Sequence, residues 1–170
     1  MRERITFELF EQECSNCGLR VDSYVPGAQA YGWLVFRTMS GEVTIMQMID
    51  NPVYSESLLL IDSVQILPKK LRNSSVGVLL SETIDRAPEV GYYYYYGYVP
   101  CPRCDSVDRN ILGLAEPHAL IDCEIEFTTH TEWSKLTWEA KREIAKRASQ
   151  MAKDRQRRVA EWNLANRTSE

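Results

Sequence analysis

The chain has 170 residues, 44% of them hydrophobic and 26% charged, a size and balance that suit one globular domain with an appendage and exclude a fibre or a wholly disordered chain. Its longest aliphatic run, residues 58–61, is far too short to cross a bilayer, and the charged start Met1-Arg2-Glu3-Arg4 has no apolar stretch behind it, so no membrane contact is expected and the cytoplasm is the expected compartment. The formal net charge of −4 is unevenly spread: residues 1–129 carry ten Lys/Arg against eighteen Asp/Glu, or −8, and residues 130–170 carry ten against six, or +4. An acidic body repels a phosphate backbone, so nucleic-acid contact is expected only from the basic tail, and a basic protein suits the body better.

In chain order, Ile5, Phe7 and Leu9 alternate with Thr6 and Glu8, the period of a half-buried strand that runs into Cys14. Gly18, Pro26, Gly27 and Gly32 read as loop punctuation. Residues 31–49 read as a β-hairpin turning at Met39, Ser40, Gly41 and Glu42, with Asn51 and Pro52 closing it. The apolar runs 58–61 and 64–67 predict one bent strand or two, ended by Pro68. A short helix over 75–86, capped by Asn73 or Ser74, follows. Five successive tyrosines, Tyr92 to Tyr96, then lead through Tyr98 to Cys101 as a strand with aromatic residues on both faces, as a central strand packed on both sides would have.

Around residues 119–127 alternation returns, with Ile121, Cys123, Ile125 and Phe127 on the inner face and Asp122, Glu124 and Glu126 outside. From Leu136 onward neither Gly nor Pro occurs. Leu136, Ala140, Ile144, Ala148, Met151, Val159 and Trp162 recur at helical spacing, predicting one amphipathic helix of about 30 residues that Thr131 or Thr137 starts and that Trp133 and Trp138 anchor.

Four of the five cysteines fall in two pairs, Cys14-Ser15-Asn16-Cys17-Gly18 and Cys101-Pro102-Arg103-Cys104-Asp105. A two-residue spacer lets both sulfurs of a pair converge on one ion at about 2.3 Å, and two such turns complete a tetrahedral site. Gly18 follows its turn where positive φ is often required. The two segments resemble the knuckles of the zinc-ribbon family, in which hairpin-borne Cys-x-x-Cys turns clamp a structural zinc. The resemblance covers only those stretches, and 83 residues stand between them where a compact ribbon has roughly 15–20. It implies one structural zinc held by Cys14, Cys17, Cys101 and Cys104, and no activity.

Competing readings belong beside it. Cys-Pro-x-Cys also occurs in thioredoxin-like thiol–disulfide oxidoreductases, but that mechanism needs the first sulfur at a helix N-terminus early in a βαβ unit. Cys123 reads as a small buried hydrophobe or, less favoured, as a nucleophile or further ligand, with His118 and His130 the sole imidazoles that a dyad has to draw on.

The fold class expected is α+β: an antiparallel β-rich body with a split zinc-ribbon-like four-cysteine site over 1–129, and a long basic amphipathic helix over 130–170. The function expected is non-enzymatic: a zinc-binding module for protein binding or assembly. Its contact surface is sought at Tyr92, Tyr94 and Tyr96 and at Arg155, Arg158 and Trp162, where the helix meets a partner or a second copy. The alternatives are a nucleic-acid-associated regulator using the basic helix and an immunity-type inhibitor using the acidic face.

Overall fold

The computed structural model describes residues 2–26, 32–85, 91–95, 99–114 and 120–167, without the side chains of 24, 26, 159 and 162–167. It is a mixed α+β structure with antiparallel sheets and a long C-terminal helix. The chain forms two compact units, residues 1–51 with 86–129 and residues 52–85 with 130–170. The sequence expectation is a different division, a β-rich body over 1–129 and a helix over 130–170.

The first unit is built on β1 (Arg2–Cys14), the long strand whose alternation buries Ile5 and Phe7. One edge of β1 pairs antiparallel with β2 (Arg20–Pro26), from Phe7↔Pro26 to Glu13↔Arg20. Its other edge is shared: β7 (Leu120–Glu126) pairs from Arg2↔Glu126 to Glu8↔Leu120, and β6 (Arg109–Leu114) from Phe10↔Leu114 to Cys14↔Arg109, with a register shift at Glu11/Gln12.

A second sheet has β3 (Trp33–Arg37) between β4 (Val43–Gln47) and β5 (Tyr94–Tyr95). The β3–β4 turn is held by Thr38, whose N–H donates to the Glu42 carbonyl and whose Oγ1 accepts from the Glu42 N–H. Between the sheets Ile5, Phe7, Val35, Ile45 and Ile125 form a core, with Trp33, Val43, Cys123 and Phe127 packed against it. The end of β7 is tied to β4 by the Thr128 N–H on the Ile45 carbonyl, at 2.8 Å.

The second unit is helical: α1 (Pro52–Val64), α2 (Lys69–Thr83), the single turn α3 (Thr131–Ser134) and α4 (Trp138–Arg167). Asp85 places both carboxylate oxygens on the first N–H groups of α3, 2.7 Å from Thr131 N and 2.9 Å from Glu132 N. In α4 the Thr137 Oγ1 accepts from the Ala140 N–H, a side-chain cap of the kind that satisfies orphan donors.

Five expectations are corrected. Residues 58–64 are helical: Asn51-Pro52 starts a helix, with the proline at a first position where a missing N–H is harmless, and Ser57, Leu60 and Ile61 make an i, i+3, i+4 stripe. Residues 20–26, taken as loop, form β2, since the turn at Cys17 and Gly18 sends the chain straight back along β1. The helix expected over 75–86 begins earlier, at Lys69, so Asn73 and Ser74 lie inside it. The tyrosine strand, expected to be central, is at the edge of its sheet among the described residues. On α4 Ala148 of the expected stripe is buried, but the other buried positions are Lys141, Ala145, Ser149 and Ala152, while Trp138 and Met151, and Leu136 just before the helix, are exposed. The stripe is rotated because Lys141 has a partner inside and the small residues permit close packing. Trp133 is buried as expected.

Candidate metal centre

The two Cys-x-x-Cys turns are the same structure made twice. In the first, the Cys14 N–H donates to the Leu19 carbonyl at 2.9 Å and the Gly18 N–H returns to the Cys14 carbonyl at 2.9 Å. In the second, the Cys101 N–H donates to the Ser106 carbonyl at 2.8 Å and the Asp105 N–H to the Cys101 carbonyl at 2.9 Å. The fifth residue of each turn is left-handed, Gly18 at φ +68° and Asp105 at φ +57°. That is the conformation expected at Gly18; at the second turn it falls to aspartate, a residue more tolerant of it than most.

Strand pairing brings the turns together across 83 residues of sequence. Cys14 ends β1 directly opposite Arg109, the first residue of β6, and the Ser15 N–H donates to the Asp108 carbonyl at 3.2 Å. As a result Cys14 Sγ lies 3.6 Å from Cys104 Sγ and Cys17 Sγ 3.6 Å from Cys101 Sγ. All four sulfurs lie within 4.8 Å of one another, and they can hold a metal ion.

The spacing identifies the kind of contact. A disulfide brings sulfurs to about 2.05 Å, whereas a tetrahedron with metal–sulfur arms of about 2.3 Å has edges of about 3.8 Å. Cys14 and Cys101 are buried and Cys17 and Cys104 half-buried, so the cluster has an inner and an outer side.

The thiols do not titrate alike. At Cys17 the Leu19 backbone N–H is the largest influence and favours the thiolate, but burial and the thiols of Cys104, Cys101 and Cys14 outweigh it and push the group up to about 12. At Cys101 burial is the largest influence and opposes ionisation. The Arg103 and Cys104 N–H groups and the Arg109 guanidinium together overcome it and bring the group down to about 6. Cys104 is lowered by the Asn16 side chain and then by the Ser106 N–H. Donors aimed at sulfur stabilise thiolates, the form in which cysteine binds a metal. The donor set, its spacing and its N–H groups therefore fit a tetrahedral cation.

Cys123 is not among the four; it pairs with Ile5 and packs on the apolar core. His130 is in the helical unit, its Nδ1 2.9 Å from the Thr83 carbonyl oxygen, and His118 lies outside the described residues. Of the expected contact surface, Tyr92 and Tyr94 are half-buried with ring centroids 4.5 Å apart. Tyr96 lies outside the described residues, as does the side chain of Trp162 on α4. Arg155 is half-buried and Arg158 exposed on α4.

Sequence reasoning missed Arg109 and Asn16, which act on Cys101 and Cys104. Asn16, inside the first turn, was findable as a polar side chain between two cysteines; Arg109 was not, because only the pairing of β6 with β1 brings it there.

No helix among the described residues is long and apolar enough to cross a membrane. Compared with protein-family models, with curated proteins and with solved structures, the chain finds no match in any of the three.

Proposed function

We propose that the four-thiol centre holds one structural zinc ion and that the chain is a non-enzymatic module for protein binding or assembly, with α4 supplying contact surface. The observation that carries this reading is the convergence of four sulfurs on two matching turns. An all-thiolate tetrahedral set is soft and favours zinc over oxygen-seeking cations. Four protein ligands also close the coordination shell, leaving no position for substrate or activated water. A thiol–disulfide exchange role is disfavoured because a turn and then β6, rather than a helix, follow Cys101.

The helix supports the second half of the reading. At 30 residues α4 is about 45 Å long, against about 22 Å for the 15 residues of α2. Beyond Lys153, whose Nζ reaches Gln65 Oε1, the side chains of Gln156, Arg157, Arg158, Ala160 and Glu161 are exposed. Several of its cations have acidic neighbours, Lys141 with Glu56, Lys146 with Glu143 and Arg157 with Asp154 and Glu161. That pairing favours a protein partner over a polyanion. An acidic-face inhibitor remains the second reading, since Asp122, Glu124 and Glu126 are all exposed along β7; charge reversal there then slows association with a basic partner.

Native mass spectrometry of protein purified from its own host tests both halves. The expected result is one zinc per chain, with a bound protein that is lost, the zinc being retained, when the chain is ended after Asp154. Iron, or no metal, overturns the zinc reading, and a complex that survives the truncation overturns the helix reading. A complex that dissociates steeply between low and moderate salt transfers the function to nucleic acid.

A further inference from the structure

In the four-thiol centre short sulfur contacts run from one turn to the other, Cys14 to Cys104 and Cys17 to Cys101, each at 3.6 Å. Each joins a buried sulfur, that of Cys14 or Cys101, to a half-buried one, that of Cys104 or Cys17. A small oxidant therefore reaches the second cysteine of each turn, and the first cysteine of the opposite turn stands next to it. Strand pairing holds the partners there: Cys14 lies opposite Arg109, and the Ser15 N–H donates to the Asp108 carbonyl at 3.2 Å. Bringing the sulfurs from 3.6 Å to the bonding distance of a disulfide takes a movement of about 1.6 Å. Cys123, the fifth thiol, lies apart on the apolar core.

We propose that hydrogen peroxide converts this centre into two disulfides that cross between the turns, Cys14–Cys104 and Cys17–Cys101, and expels the metal ion. The inference rests on the zinc reading of the same four sulfurs for the expelled ion alone; the pairing of the sulfurs is independent of it. A bound cation holds all four as thiolates, so access decides which reacts first. The Cys104 or Cys17 thiolate attacks a peroxide oxygen, the O–O bond breaks, and a sulfenic acid and hydroxide result. The buried thiolate 3.6 Å away then attacks that sulfur, the S–S bond forms, and the S–O bond breaks to release a second hydroxide. Each disulfide passes two electrons from sulfur to the peroxide oxygens, so two peroxide molecules consume all four ligands. The new bonds link residues 90 and 84 positions apart and tie together the same two turns, so the first unit keeps a clasp when the ion leaves.

The test treats zinc-loaded full-length protein with hydrogen peroxide, alkylates it under denaturing conditions and cuts it with trypsin, with released zinc followed by a chromogenic chelator. Four of the five thiols are expected to be lost, with one zinc released for every two disulfides and Cys123 still alkylated. Residues 5–20 carry both first-turn cysteines, 87–103 carry Cys101 and 104–109 carry Cys104; the expected species joins all three peptides. In Cys17→Ser, reduced and then oxidised, 5–20 is expected to join 104–109 alone, with Cys101 alkylated. If that variant does not fold, fragmentation of the wild-type species between Cys14 and Cys17 locates the same bonds. A bond inside 5–20, a bond between 87–103 and 104–109, sulfinic acid at Cys17 or Cys104 without cross-links, or survival of all five thiols overturns the proposal. Protein that takes up no zinc and still forms the crossed disulfides overturns the zinc reading and supports the pairing.

Discussion

Gly18 and Asp105 occupy equivalent places in the two cysteine turns, and their left-handed backbone reverses the chain after each pair of cysteines. A Cβ at Gly18 meets nothing within 4 Å, so Gly18→Ala introduces a purely conformational penalty of about 1–2 kcal/mol. The expected readout is a lower denaturant midpoint for the metal-loaded protein, with metal stoichiometry unchanged. Its counterpart Asp105→Gly relieves left-handed strain while adding freedom to the unfolded chain, and stability is expected to change by less than about 1 kcal/mol.

His130 responds to pH. Burial is the main influence on it and holds it below the usual imidazole range, against the opposite pull of the Thr83 carbonyl and Asp85. The unfolded chain takes up this proton near about pH 6.5 and the folded chain only at lower pH. The neutral form is therefore the native one: its contribution is complete above about pH 6.5 and is lost as pH falls toward the folded value, at no more than about 1.4 kcal/mol per pH unit. Urea midpoints followed by helical ellipticity should fall between about pH 7.5 and 5.5, and less so in His130→Gln.

Among the elements, α4 shows how a charged residue comes to lie inside. Lys141 is buried because its Nζ is 2.8 Å from Glu56 Oε1 and 5.2 Å from the Trp133 ring centre, while Trp133 Nε1 donates to Glu56 Oε2 at 2.7 Å. Glu56 thus joins α1 to both α3 and α4. Lys141→Met strands a partly buried carboxylate and is expected to cost about 2 kcal/mol. Glu56→Gln keeps an acceptor for the indole, so adding it to Lys141→Met should recover about 1 kcal/mol. A double-mutant cycle by chemical denaturation measures that coupling, and additive losses would exclude the network.

For the molecule as a whole, the cysteine turns belong entirely to the first unit, while α1, α2 and α4 form the second with their own buried residues. Metal removal should therefore act unevenly. Chelation is expected to speed hydrogen exchange at the ends of β1, β2 and β6 next to the turns, where metal binding and folding are linked. The amides of α4 between Lys141 and Ala152 should exchange at unchanged rates. Uniform acceleration through both units would show that the metal stabilises more than its own sheet.

Local patterns carried much of this. The alternation of β1 and β7, the uninterrupted helical stretch of α4, the hairpin of β3 and β4 and the two cysteine pairs were readable because each depends on a period or spacing within a few residues. Residues 52–64 misled because a short apolar run has no period that separates strand from helix; the Asn-Pro start carried the information. β2 and β6 are weakly patterned and form by pairing with β1, and the buried face of α4 was set by Glu56, a residue 85 positions from Lys141. The sulfur chemistry was thus written in the order of the residues, while the meeting of the two turns, the arginine that joins them and the division into two units depended on contacts between distant segments. Such contacts are selected by total burial and pairing in the folded chain.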